Sequence, residues 1–264
     1  MAFPIDHDLH CHSQLSLCSR DPEQTPAAIL ARAKAHGYTV QCVTDHLWDS
    51  AVPGASPWYA PQDIEYVRKS LPLPEDDQVR MVFGCETEFL GGTHLGIAPE
   101  HYDLFDFIVI PPNHFHMVDF VRPACYDTEE KIAGLLVERL EEISRLDLPW
   151  HKVGIAHMTC HLTFREGDVY KVFRLVDERR YRDVMRTFAR LGAGIELNAS
   201  EFALGWREHE EDALRLYRLA KEEGCRFYLA SDAHHPNALE FVAERMPEAV
   251  ELLGLTEEHL FRIP

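Results

Sequence analysis

The sequence predicts a single α/β barrel domain spanning residues 1–264, and three observations lead there. Short apolar runs alternate with longer helix-like stretches, the signature of repeated βα units. No linker, internal repeat or low-complexity tract divides the 264 residues, a length at which barrels commonly remain one domain. Finally, His10, His46, Glu86, His157, Glu196 and Asp232 each follow an apolar run. A barrel gathers such positions at its C-terminal mouth however far apart they lie in the chain. A doubly wound sheet also places ligands beyond strand ends and stays open as the alternative. Six contributing strand ends fit a closed or nearly closed barrel more naturally.

Residues 3–9 read as the first strand. Thr25 then offers an N-cap and Pro26 a first helical position, opening a helix over 27–36 that Gly37 stops. The second strand, 38–44, runs into Asp45-His46. Prolines, a glycine and aromatics make 48–59 a loop, with a short helix after Pro61. Residues 79–83 form a strand leading to Gly84 and Glu86, and further strands fit 106–110, 152–156, 193–197 and 226–230. Helices fit 128–145, 168–191 and 208–223.

Composition narrows the function. No apolar run reaches 18 residues, and the start, MAFPIDHDLHCHS, lacks the basic and apolar regions of a signal peptide, so a cytoplasmic protein without a membrane partner is expected. Seven dispersed cysteines with no CxxC pair argue against both a disulfide scaffold and a cysteine-rich zinc module. A formal charge of −18 disfavours nucleic acid as a partner while leaving room for a small anion, because bound divalent ions reverse the local field. No feature assigns an oligomeric state. P-loop and GxSxG patterns are absent, which removes the ATPase and serine-hydrolase readings.

The chemistry concentrates in short motifs. In Asp8-Leu9-His10-Cys11-His12-Ser13 the two histidines are two apart, so in extended chain they face one side and can grip one metal. The plain alternative is a pair of unrelated histidines at a strand terminus. At the far end Ser231-Asp232-Ala233-His234 repeats the spacing: Asp232 can complete a mixed nitrogen–oxygen site and His234 can reach an adjacent ion, or the two simply cap a helix and meet water. Between them stand Asp45-His46, Gly84-Cys85-Glu86, His114 with His116, and His157. A carboxylate such as Glu86 has two oxygens and can bridge ions about 3.5–4 Å apart. Imidazole with carboxylate suits Zn, Mn or Fe.

Taken in order, these fragments resemble the PHP family, named for polymerase and histidinol phosphatase domains, over nearly the whole chain. DLHCHS is similar to its DLHxHS opening, VTDH to its TDH motif and GCE to its GxE motif, while IAH, ELN and SDAH follow in family order. The resemblance implies a distorted (β/α)7 TIM-like barrel with two or three divalent ions. It places His10, His12, Glu86 and Asp232 around one ion, Glu86, His114 and His157 around a second, and His46 and His234 at a third. Cys18 stands where three-metal relatives often carry His or Asp; a thiolate can bind zinc, but an unligated cysteine is the preferred reading. Pro111-Pro112-Asn113-His114-Phe115-His116 departs from the family's Ser-Val-His-like sequence, so either histidine can be the ligand. His114, nearer the strand end, is preferred, with His116 left to touch phosphate or donate a proton.

The expected reaction is hydrolysis of a small phosphomonoester by metal-activated water, with Glu86, Asp232, His116 and Arg122 as the catalytic candidates. Arg165 and Arg207 are further candidates for pairing with phosphate, Asp45, Glu196 and Asn198 for orienting ligands, and Trp48, Trp58, Tyr59 and Trp206 for lining the pocket. The alternatives are a phosphodiesterase or nuclease with the same metals, an amidohydrolase, and a non-catalytic metal-binding barrel.

Overall fold

A computed structural model of the chain describes residues 1–19, 21–203 and 205–264. Its strands are β1 (His7–Asp8), β2 (Val40–Val43), β3 (His46–Leu47), β4 (Arg80–Thr87), β5 (Phe107–Ile110), β6 (Val153–Ile155), β7 (Gly194–Asn198) and β8 (Arg226–Ala230). Every strand pair is parallel, in the order β1-β2-β4-β5-β6-β7-β8, with β3 alongside the far end of β4. Parallel neighbours need long crossovers. These carry α1 (Pro26–Ala35), α2 (Ile64–Val67), α3 (Glu129–Ile143), α4 (Val169–Leu175), α5 (Glu178–Leu191) and α6 (Glu210–Glu222), while α7 (Phe241–Leu253) follows β8.

The sheet closes where its first and last strands meet. Leu9 N donates to Leu229 O at 2.9 Å, Asp232 N to His10 O at 2.8 Å and His12 N to Ala233 O at 3.0 Å. The result is a distorted, nearly closed parallel barrel surrounded by helices, as the sequence predicts. Its interior is filled by Leu9, Cys42, Val82, Phe107, Val109, Ala156 and Tyr228, and Phe261 plugs the end opposite the strand C-termini. The filling leaves no room at Gly154, where a Cβ would collide with the Tyr228 hydroxyl and lie 2.6 Å from Phe107 Cζ. Among the described residues no helix is long and apolar enough to cross a membrane.

Some boundaries differ from expectation. The helix expected over 168–191 is two helices: Val176 turns extended, buries its side chain, and Asp177 caps α5 by accepting from Arg180 N at 2.9 Å. The first strand is much shorter than 3–9, because only His7 and Asp8 find regular partners on β2. Helix α7 occupies a stretch the sequence reading leaves unassigned, and it contains Pro247. Strand β4 runs on to Thr87, so Glu86 sits inside a strand, paired in register with His46 of β3.

Candidate metal centre

At the mouth of the barrel three of the histidines are held from behind. His10 Nδ1 donates to Glu196 Oε1 at 2.6 Å. His12 Nδ1 donates to Ser16 Oγ at 2.9 Å, and Ser16 Oγ donates to Asp45 Oδ1 at 2.7 Å. His114 Nδ1 is bonded to Glu88 Oε1, which also accepts from the Tyr59 hydroxyl at 2.5 Å. Such carboxylate and hydroxyl partners fix the ring orientation, so that each Nε2 faces inward, His10 Nε2 and His12 Nε2 sharing a hydrogen bond at 3.1 Å. His157 and Asp232 enter the site by another route: both sit in the left-handed region, with φ of 60° and 51°, immediately beyond β6 and β8. That conformation is strained for a side-chain-bearing residue. The Glu196 carboxylate steadies it at one position, Oε2 accepting from His157 N at 2.8 Å.

Glu86 is the hub. Its Oε2 lies 3.6 Å from His10 Nε2, 3.4 Å from His12 Nε2 and 2.8 Å from His46 Nδ1. Its Oε1 faces the other way, 3.2 Å from His157 Nε2 and 3.8 Å from His114 Nε2. Asp232 is similarly divided, with Oδ1 3.3 Å from His12 Nε2 and Oδ2 3.9 Å from His157 Nε2. Most of these separations are too long for hydrogen bonds, but two ligands each about 2.0–2.2 Å from one tetrahedral ion stand about 3.3–3.6 Å apart. Both Glu86 oxygens are buried, and the rings around them, His46 Nδ1 at 2.8 Å and His157 Nε2 at 3.2 Å included, meet neither in hydrogen-bond geometry, an arrangement that a cation would relieve. The donors overlap in triads: His10, His12 and Glu86; Glu86, His114 and His157; His10, His157 and Asp232; His12, His46 and His234. Imidazole and carboxylate in this density make a site for one or more divalent metals.

The charges agree. Burial pushes the Glu86 carboxyl up, and the His46 and His10 rings more than offset that, holding it well below the usual carboxylate range. Asp232 is lowered in the same way, burial being outweighed by His157 and His10. Burial works against a proton on His10, yet Glu196, Glu86 and Asp232 raise its pKa to about 10. In the protein alone, protonated imidazoles therefore supply the positive charge that a metal would bring, and metal uptake would displace those protons.

A cavity of about 570 Å³ opens on this cluster. His116 lines it but does not approach Glu86; its Nδ1 is buried and unpartnered among the described residues, and burial with the neighbouring His114 lowers its pKa to about 3. Arg165 lines the cavity too. Arg122, expected on the substrate side, does not: Phe115 O, Tyr126 O and Glu166 occupy its guanidinium at 2.6–2.7 Å, making it a strut for the loop after His114. Arg207 is spent on Glu210 and Glu248 at the surface. Of the expected aromatics, Trp58 and Tyr59 line the cavity, whereas Trp48 and Trp206 are buried in packing. Asn198 reaches both Glu196 at 3.2 Å and Asp232 at 3.3 Å. Cys18 lies at the rim, where burial raises its pKa but the His46 and His234 rings bring it down to about 6.

Glu88 is the residue sequence reasoning misses. Its signal was present, since Glu86 and Glu88 alternate and so share one face of extended chain.

No protein-family model and no curated protein matches the chain. Among solved structures it is similar to the histidinol phosphate phosphatase of Lactococcus lactis bound to zinc, L-histidinol and phosphate. That match has a TM-score of 0.58 and 17% identity, over 95% of this chain and 94% of that one. It is also similar to a proposed histidinol phosphatase from Listeria monocytogenes, with a TM-score of 0.57 and 13% identity, over 88% of this chain and 96% of the other. The chain shares their fold. At these identities the likeness extends to architecture alone.

Proposed function

We propose that the protein is a metal-dependent phosphoesterase that hydrolyses a small phosphomonoester. The observation that carries this is the divided carboxylate of Glu86, whose two oxygens face two separate imidazole sets at the floor of an open cavity. On this reading His10, His12, Glu86 and Asp232 hold one divalent ion, Glu86, His114 and His157 a second, and His46 and His234 an outer position. Zn, Mn and Fe all suit the donors. Such ions would supply an activated water and positive charge against the phosphoryl and leaving oxygens.

The chain's own groups do the rest. Arg165 draws the anion into the cavity and can fork onto two phosphoryl oxygens. His116, kept neutral, offers its ring nitrogen to the phosphoryl group as a hydrogen-bond partner. Glu196, Glu88 and Asp45 hold the rings of His10, His114 and His12 in place, the last through Ser16, so that no reorganisation accompanies the reaction. The fold's likeness to a phosphatase bound to zinc and phosphate supports the same reading.

The test is an activity panel on protein loaded separately with Zn2+, Mn2+ and Fe2+, comparing phosphomonoesters with phosphodiesters and including Glu86→Gln. Monoester turnover that depends on metal and disappears in Glu86→Gln is expected. Diester turnover with negligible monoester turnover would instead make this a phosphodiesterase.

A further inference from the structure

Away from the histidines and carboxylates, the cavity has a second chemical character. Trp58, Tyr59, Met117, Phe120 and Leu162 form most of the remaining wall. The aromatic part is packed before any ligand arrives. Trp58 meets Tyr59 edge to face at 4.7 Å between centroids, Tyr59 packs on Phe120 at 5.9 Å, and buried Trp48 backs Phe120 at 5.5 Å. The wall starts at the metal cluster itself, since Trp58 stands edge-on to His46 at 5.0 Å. The Tyr59 hydroxyl is committed to Glu88 and its side chain is buried, so Tyr59 holds Trp58 and Phe120 in place from behind.

What the wall lacks is equally specific. Among the described residues, the carboxylates lining the cavity are Glu86 and Asp232, and both belong to the cluster. The remaining charged group is Arg165, which has no ion-pair partner among the described residues. With Arg165 turned to the phosphate, an ammonium on the substrate would lose its water with no carboxylate on the wall to pair with it. Ser56 carries the one neutral aliphatic hydroxyl on the wall among the described residues, and its oxygen already accepts from Tyr59 N at 3.2 Å, so a polyol would find few partners for the water it sheds. Aromatic faces attract cations in general, but at about 0.5–2 kcal/mol that attraction falls short of the several kcal/mol that stripping an ion of its water costs.

Resting on the phosphomonoesterase reading above, we infer that the substrate is the phosphate ester of an uncharged, apolar alcohol bearing a flat ring. The ring lies against Trp58 and Phe120, and the phosphate lies between Arg165, His116 and the cluster. Offset or edge-to-face contact with the preformed wall then supplies binding that a hydrophilic alcohol cannot match.

The inference is tested with 2-phenylethyl phosphate, glycerol 3-phosphate and phosphoethanolamine. All three are esters of primary alcohols, so differences in kcat/KM report mainly on the organic group. With Zn2+-, Mn2+- or Fe2+-loaded protein, at least a tenfold preference for the phenylethyl ester is expected, and Trp58→Ala and Phe120→Ala should each bring the ratio towards one. If the polyol or amine ester is hydrolysed as well or better, the inference is overturned while the phosphatase reading stands. If no ester is hydrolysed with any metal, the phosphatase reading fails. The wall is then decided by direct binding of 2-phenylethylphosphonate against 2-aminoethylphosphonate, read by calorimetry. A tenfold tighter phenyl ligand upholds the apolar site, and equal or reversed affinities overturn it.

Discussion

Glu196 supports His10 from behind, its Oε1 2.6 Å from His10 Nδ1, while its other oxygen holds the backbone of His157. One carboxylate from β7 thus fixes a ring following β1 and a strained turn following β6. Glu196→Gln keeps the shape but weakens both bonds. Metal affinity should fall by about 10–100-fold, measured by competition with a chromogenic chelator; a loss below about threefold would remove Glu196 from the orienting role.

Removing metal should destabilise the fold. An ion present at a hundred times its dissociation constant adds about 2.7 kcal/mol, and a domain of this size shifts by roughly 2–4 °C per kcal/mol. A drop of about 5–10 °C in Tm on chelation, reversed by Zn2+, is the expected calorimetric result. An unchanged Tm would mean that the clustered donors hold no ion in solution.

Glu201 should make stability fall with rising pH. Burial raises its carboxyl to about 7 from 4.5, against the opposing effect of its bonds to Thr159 and Tyr217. The folded chain then keeps a proton that the unfolded chain has already released. The resulting stabilisation is full below the unfolded pKa near 4.5 and is lost as pH rises through the folded value near 7, amounting to about 3 kcal/mol. Glu201→Gln imitates the protonated acid. Urea titrations of metal-free protein at pH 4.5 and 7.5 should show the variant losing less stability than the parent; parallel losses would refute the shift.

Two glycines should respond oppositely to alanine. At Gly154 the new methyl meets Tyr228 and Phe107 inside the barrel, and a loss of about 1–3 kcal/mol is expected. Gly134 is exposed within α3, and a methyl added there meets nothing within 4 Å, so Gly134→Ala should gain about 0.5–1 kcal/mol. Chemical denaturation of both variants measures the pair.

The barrel was legible because its strands are apolar runs separated by helix-like stretches, and His10, His46, Glu86, His157 and Asp232 because each follows such a run. Period and polarity are local properties. The split of residues 168–191 at Val176 was hidden because an apolar residue turning into the core looks like one more helical position. The misplacement of Arg122 has a related cause: a loop arginine is equally available to a phosphate or to three neighbours of its own chain, and only the folded loop decides. His114 and His116 raise the same difficulty at shorter range, since they differ in which one the turn after Pro112 aims at Glu86. The support of His114 by Glu88 was written in plain alternation, but two carboxylates on one strand face do not say which meets a metal and which meets a histidine.

The seam between β1 and β8 also bears on how the centre is made during synthesis. His12 and Asp232, joined across that seam, are roughly 220 residues apart in the chain. At about 5–20 residues per second, the ribosome takes roughly 10–45 s to get from one to the other. Throughout that interval the HxH pair is exposed on a nascent chain that has neither Asp232 nor His234 to complete the donor set. The donor set is therefore complete only once β8 and the residues just after it have been made, and the seam must close before the cluster exists as one site.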